Sequence, residues 1–342
     1  MQRYSWWLFL LGMGACSGGA AGAPTSQESG SSSHGMATSA GTMDSGGSEA
    51  SSAGSTSTGV ASDSSETATT TVESSTGSTG DAESDSSTGD AVDYLLDVDF
   101  ENHPGGEYTE PQMDADFGWF GEWQNGLDDG RTEIEVEDDN RFLRCLFREG
   151  TRGHIQWQAN LGGPHEDVYL QYRVRFVGEN FDFRDGGKLP GLAGGTAPTG
   201  GQDSSDGLGY SARFMWRNTS SNSTPFFTQY MYDMDKEDGV TGRHVQLGDE
   251  AIYVEPDRWY EIQSHIVMNT PGEANGSIEV WLDDVPVLQI DDARLRSSAD
   301  LGTDMLYFST FFGGSDSPQY QTSKDEYIDY DDFRVWLGGS SS

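Results

Sequence analysis

Apolar and polar residues alternate with a period of two along much of the second half of the chain. In Tyr169-Leu-Gln-Tyr-Arg-Val-Arg-Phe176, Leu170, Tyr172, Val174 and Phe176 share one side, while Gln171, Arg173 and Arg175 share the other. That spacing predicts a half-buried β-strand. Trp259 to Met268 has the same pattern, and Ser277 to Leu288 predicts a hairpin turning at Asp283-Asp284. Arg141 to Phe147, Met305 to Phe312 and Asp332 to Leu337 are further predicted strands. Helical periodicity is scarce, and Gly, Asn, Asp and Pro separate the strands. Many short aromatic-rich strands joined by irregular loops predict an all-β fold, a concanavalin-like jelly-roll β-sandwich.

The N-terminal part of the chain breaks this pattern. Arg3 precedes a short apolar run from Trp6 to Leu11, and small residues then lead to Cys16. A bilayer span needs about 20 apolar residues, so the run fits a secretory signal instead. Met13-Gly14-Ala15-Cys16 resembles the end of a bacterial lipoprotein signal, with Met13 where leucine is usual. The resemblance implies lipidation of Cys16. Residues 17–92 are Ser, Thr, Gly and Ala with scattered acids, and hold no Lys, Arg or aromatic residue. Such a segment cannot bury enough apolar surface to offset its ordering entropy, and is expected to be a disordered tether. The expected organisation is therefore a signal over 1–16, a linker over 17–92 and one jelly-roll domain over 93–342. The expected location is the cell envelope, as an outer-membrane lipoprotein, or outside the cell, with membrane contact through a lipid anchor alone.

Charge narrows the function. The net charge is −38. Residues 93–342 carry 18 basic against 47 acidic residues, net −29, which argues against nucleic acid as a partner. Residues 144–217 depart from this, with nine basic and eight acidic residues. A locally positive site on an acidic body is expected there. Cys145 is the one cysteine of the domain and is expected to be a small buried residue. No Cys/His metal set is present in the sequence, and no cofactor is expected. The acidic run Asp325 to Asp332, with Asp97 or Glu101, offers ligands for a structural calcium, although a solvated acidic edge is the simpler expectation. A monomer is expected.

Three stretches carry the candidate chemistry. In Gly186-Gly187-Lys188-Leu189-Pro190-Gly191 the lysine is followed by Leu-Pro, which excludes a nucleotide-binding loop, since that needs Ser or Thr and a helix. A glycine-rich loop, continuing through Leu192 to Gly207, is expected. In Tyr210 to Arg217, alternation puts Ser211, Arg213, Met215 and Arg217 on one face. In Gln229 to Tyr232 it does the same for Tyr230 and Tyr232. Arginine in an apolar core is costly without a partner, so a wet sheet face is one account of this set. Ordinary half-buried sheet residues are the other.

The ordered blocks GGKLPG, SARFMWR and YMY, then WYEIQSHIVMNTPGEANG and YFSTFFGG, resemble the polysaccharide lyase family 14 domain from about Tyr169 to Trp336. That family includes alginate lyases and resembles the family 20 glucuronan lyases. The resemblance implies a jelly roll with its substrate cleft on one sheet, and an acidic polysaccharide as partner. It carries the family's catalytic positions onto Lys188, Ser211, Arg213, Tyr230 and Tyr232. The implied reaction is β-elimination. A base removes the uronate C5 proton, while Arg213 and Lys188 neutralise the neighbouring carboxylate. Tyr230 or Tyr232 serves as base and acid, with nearby cations expected to favour the phenolate. Arg173, Gln156, His154 and Arg217 are expected to bind substrate. Two other classes compete: a non-catalytic carbohydrate-binding jelly roll, and a glycoside hydrolase. The hydrolase would need paired acids, for which the run Glu133 to Glu137 lies too far from the cluster.

Overall fold

The computed structural model describes residues 92–118, 124–127, 129–218, 224–314 and 317–339. The expected signal with Cys16, and the expected linker up to residue 91, lie outside the described residues. No helix among the described residues is long and apolar enough to cross a membrane.

The elements in chain order begin with β1 (Tyr94–Val98), β2 (Gly106–Glu107), α1 (Glu110–Phe117), β3 (Thr132–Glu137), β4 (Asn140–Phe147) and β5 (Ile155–His165). The middle of the domain holds β6 (Asp167–Val177), β7 (Gly186–Gly195), β8 (Gly209–Arg217), β9 (Phe226–Tyr232) and β10 (Arg243–Gln246). It closes with β11 (Trp259–Val267), β12 (Gly276–Leu282), β13 (Val285–Ala293), β14 (Thr303–Phe312) and β15 (Glu326–Leu337). Two antiparallel sheets result. A nine-stranded sheet runs β13-β12-β11-β6-β15-β4-β3-β2, with β1 paired to the C-terminal half of β15. A six-stranded sheet runs β10-β9-β8-β7-β14-β5. The architecture is the jelly-roll sandwich expected from the alternation.

Aromatic residues from the inner faces of the two sheets fill the space between them. Phe176 on β6 meets Trp216 on β8 at 5.2 Å, and Phe227 on β9 meets Tyr260 on β11 at 5.0 Å. Phe308 on β14 stacks on Trp157 at 3.7 Å and meets Tyr330 on β15 at 5.1 Å. Each large ring removes a few hundred Å² at most from water, roughly 150–250 Å², so these contacts dominate cohesion. Leu170, Tyr172, Val174 and Phe176 are all buried, as their spacing predicts, and Cys145 is buried as expected. Asp283 and Asp284 both adopt positive φ, 50° and 63°, as a two-residue hairpin turn between β12 and β13 requires.

Two expectations are corrected. The stretch expected as a glycine-rich loop is instead β7, near the middle of the six-stranded sheet. Glycine serves packing there: a Cβ at Gly187 would collide with the Trp216 ring and the Phe311 carbonyl. Pro190 has no N–H to donate, and the β7–β8 register shifts between Leu189 and Gly191. The Tyr172 hydroxyl, reaching across from the other sheet, donates to the Pro190 carbonyl at 3.1 Å and fixes this irregularity two residues after Lys188.

The acidic run is likewise not a solvated edge. It begins β15, where Glu326, Asp329 and Asp331 are buried. Asp329 faces Arg144 on β4 and Arg175 on β6 in register. Arg144 Nε donates to it at 2.8 Å and Arg175 Nη2 at 2.8 Å. The Arg175 guanidinium lies 4.7 Å from the Trp259 ring and 5.0 Å from that of Phe142. Sequence spacing on one strand does not reveal the arginines that two other strands supply.

Asp329→Ala would leave both guanidiniums without their buried partner. Glu135 at 3.1 Å from Arg144 and Glu137 at 2.8 Å from Arg175 remain as outer partners. The expected loss is therefore about 3 kcal/mol, the low end for breaking a buried pair. Denaturant unfolding measures it, and a loss well below 1 kcal/mol contradicts this account.

Candidate active site

The outer face of the six-stranded sheet is polar where its inner face is apolar. On β7 and β8, Leu189, Leu192, Ala212, Phe214 and Trp216 join the central core. Lys188, Ser211, Arg213, Met215 and Arg217 take the alternate positions. Met215, Tyr230 and Tyr232 form a separate small cluster on this outer side. Strand register aligns one row across all six strands. Gln158 on β5 pairs with Tyr307 on β14, Tyr307 with Gly191 on β7, and Gly191 with Arg213 on β8. Arg213 then pairs with Tyr230 on β9, and Tyr230 with His244 on β10.

At the centre of the row the cations have no acidic partner among the described residues. Lys188 Nζ lies 3.3 Å from the Tyr230 ring centroid and 2.7 Å from Met215 Sδ. The Arg213 guanidinium stands 4.7 Å from the Tyr307 ring and donates to Ser309 Oγ at 3.3 Å and Thr199 Oγ1 at 2.8 Å. Its Nε is buried without a hydrogen bond. Lys188 is 7% exposed and Arg213 1%. Burial first, then the Arg213 and Arg217 charges, push the Lys188 amine well below its ordinary value. Arginines of the other sheet differ sharply, since Arg144, Arg173, Arg175 and Arg334 each reach a carboxylate.

The phenols have a defined hydrogen-bond direction. Tyr230 donates to the Thr241 carbonyl at 2.6 Å. Its single proton is thereby used, so at the 3.2 Å contact between the two hydroxyls Tyr232 is the donor. Tyr232 in turn accepts from the Gly201 N–H at 2.8 Å. A Cβ at Gly242 would overlap the Tyr230 ring and hydroxyl, so glycine lets this strap close on the phenol. Burial, with the Tyr232 hydrogen bond, raises the Tyr230 phenol above its ordinary value, and the opposing pull of Arg213 is smaller. The expected phenolate is therefore corrected for Tyr230: desolvation outweighs the cations and keeps the proton on.

Ser211 is buried and donates to the Pro198 carbonyl at 2.7 Å. It positions the segment after β7, whose Thr199 and Gly201 cover Arg213 and Tyr232. Of the expected substrate-binding residues, Gln156 lies on β5 opposite Ser309, and Arg217 ends β8. His154, just before β5, has its ring 4.5 Å from that of Phe311, the register partner of Lys188. Arg173 is a correction. It lies on β6 in the nine-stranded sheet, 3.3 Å from Asp332 and 4.9 Å from the Trp259 ring. Alternation gave its outward direction correctly, but nothing in a single strand says which sheet it joins.

Sequence reasoning missed Tyr307, Ser309, Thr199 and His244. Tyr307 and Ser309 were legible in principle, being alternate positions of a predicted strand. The four-residue β10 is too short to signal. Three of the acids named as possible calcium ligands have arginine partners. Asp97 pairs with Arg334 at 3.3 Å, Glu101 with Arg141 at 3.5 Å and Asp329 with two arginines. Among the described residues no group of three or more His, Cys, Asp or Glu is placed to hold a metal ion. The run Glu133 to Glu137 lies on β3, in the sheet opposite the cluster. A surface cavity of about 270 Å³ lined by Phe181, Arg184 and Asp185 contains none of the cluster residues; unpaired charge, not cavity volume, marks this site.

Comparison with known proteins gives the same direction. The sequence matches the family profile Polysaccharide lyase 14 over residues 144–333. The structure of alginate lyase Aly36B is similar at 25% identity and a TM-score of 0.60, over 71% of this chain and 98% of that one. A variant of that lyase in complex with alginate trisaccharide gives 24% and 0.62, over 73% and 100%. The alginate lyase of Aplysia kurodai gives 21% and 0.58, over 72% and 100%. No curated protein matches the sequence.

Ser211→Ala removes the tie to Pro198 and leaves its carbonyl unsatisfied. The expected cost is about 1–3 kcal/mol, with faster amide hydrogen exchange at Gly200 and Gly201. Unchanged exchange there contradicts the positioning role.

Proposed function

The chain belongs to the polysaccharide lyase 14 family and is a polysaccharide lyase, and from that premise we propose that it cleaves a polyuronate by β-elimination at the row through Arg213. One observation carries this reading: Lys188, Arg213 and Arg217 form a cationic set with no carboxylate partner among the described residues, on a domain otherwise rich in acid. A uronate carboxylate is the partner that such a set lacks. Alginate is the first substrate, because the solved relatives are alginate lyases, and glucuronan is the second.

Arg213 receives the carboxylate. Its present partners, Ser309 and Thr199, are neutral hydroxyls, and a carboxylate replaces them with stronger charge-assisted hydrogen bonds. Neutralising that carboxylate makes the C5 proton more acidic and stabilises the enediolate-like charge that forms. Lys188 supplies the base. Its amine, a cation pushed well below its ordinary value, gives up its proton more readily than a free lysine, whereas the Tyr230 phenol is pushed up; the amine acts in its deprotonated form. The amine takes the C5 proton, the C5 electron pair forms the C4–C5 double bond, and the C4–O4 bond breaks with its electrons on oxygen. Tyr230, or Tyr232 through it, returns a proton to that oxygen. No water is consumed. This assignment moves Lys188 from charge neutraliser to base relative to the sequence expectation.

The test follows ultraviolet absorbance of the unsaturated product while purified protein is offered alginate, glucuronan or a neutral glucan. Absorbance should rise with a polyuronate alone. Lys188→Ala and Tyr230→Phe should each lower kcat by roughly 10²–10⁴. Arg217→Gln removes a charge that depresses Lys188, so the amine pKa rises and the acid limb of kcat/KM moves to higher pH. An acid limb unmoved in Arg217→Gln, or full activity in Lys188→Ala, refutes the base.

A further inference from the structure

His244 ends the row that passes through Arg213 and Tyr230. It is the register partner of Tyr230, with ring centroids 4.8 Å apart, and shares its face of the sheet. β10 is the edge strand, so this ring borders open solvent. Unlike the phenols beside it, His244 is exposed. Neither ring nitrogen has a hydrogen bond or an acidic partner among the described residues. Burial of its inner side against Tyr230, with the Arg217 and Lys188 charges, pushes the imidazole down to about 3, even though its outer edge reaches water. It is therefore neutral near neutral pH, with one donor and one acceptor to offer.

We propose that His244 is a substrate-binding residue that hydrogen-bonds a hydroxyl of the sugar lying beyond the cleaved linkage on the Tyr230 side. Neighbouring strands are about 4.8 Å apart, which places one pyranose unit over each strand for a chain lying across the row. His244 is two strands from Arg213, so it meets a different sugar from the one whose carboxylate Arg213 holds. Gln158, at the other end of the row, is also neutral. The row thus reads charge at its centre and hydroxyls at its ends. This inference rests on the lyase reading of the same site.

The experiment measures elimination of alginate oligosaccharides by full-length wild type, His244→Ala and His244→Gln. His244→Ala should raise KM about tenfold with kcat within about twofold, since each neutral hydrogen bond contributes on the order of 1 kcal/mol. His244→Gln, which keeps a neutral donor and acceptor, should recover most of that loss. The ring nitrogens of His244 should also shift in NMR when oligosaccharide is added to Tyr230→Phe protein. An unchanged KM in His244→Ala, or unmoved ring resonances, overturns the inference. A fall in kcat alone overturns it too, because it points to a role in proton transfer. Absence of elimination by the wild type on any polyuronate instead overturns the lyase reading itself, so the two failures are distinguishable.

Discussion

Two nearly buried cations without counter-ions among the described residues set the terms for the rest of this structure. Burying a charge in low dielectric is unfavourable unless it is paired, yet Lys188 and Arg213 have only neutral partners. What compensates is diffuse. The Tyr230 and Tyr307 rings present their negative faces to the two cations, each contact contributing on the order of 1 kcal/mol. Ser309 and Thr199 add hydroxyl acceptors. These terms do not match a carboxylate, so the site is held in a state that the proposed uronate would relieve. In the proposed elimination, binding energy of this kind would be directed at the reacting carboxylate, where it assists proton removal.

Such a site needs a frame that does not yield to it, and the nine-stranded sheet supplies one. There the buried charges are fully matched: Asp329 sits between Arg144 and Arg175, and Phe142 and Trp259 pack against the guanidiniums. Tyr172 transmits that rigidity to the other sheet through its hydrogen bond to Pro190. The bulge at Leu189 to Gly191 is thus fixed from below, and Lys188 is fixed with it. The segment bearing Thr199 and Gly201 has a different character. Hydrogen bonds from Ser211, from Arg213, to Tyr232 and from the buried Ser204 to the Asp233 carbonyl hold it, and Gly200 and Gly201 within it are exposed.

Alternation made the sandwich legible in the sequence because it is local: β6, β11 and β14 follow from period two alone. The failures share one cause, which is that pairing between strands is not local. Gly186 to Gly195 looks like a loop because its glycines are explained only by Trp216 and Phe311, which arrive from β8 and β14. Asp325 to Asp332 looks like a solvated edge because Arg144 and Arg175 belong to strands far away in sequence. Arg173 points outward as its spacing predicts, but on the wrong sheet. For the site, the resemblance brought forward Lys188, Ser211, Arg213, Tyr230 and Tyr232, all of which meet on one face. The protonation states were not legible, because they depend on how completely the loop after β7 and the strap at Gly242 exclude water.

In the proposed reaction an acidic domain would act on an acidic polymer, and the arrangement of charge resolves that apparent conflict. Screening at physiological salt acts over about 8 Å, so most of the −29 is invisible to a sugar on the row. Lys188, Arg213 and Arg217 stand on the face that carries the row, while acids of the other sheet such as Asp329, Asp332 and Asp97 are bound to arginines. The remaining negative field still acts on the long polymer outside the row, and it opposes retention of chains that touch the protein elsewhere. Affinity therefore depends on engaging the row itself, where hydroxyl-binding ends add contacts without further charge.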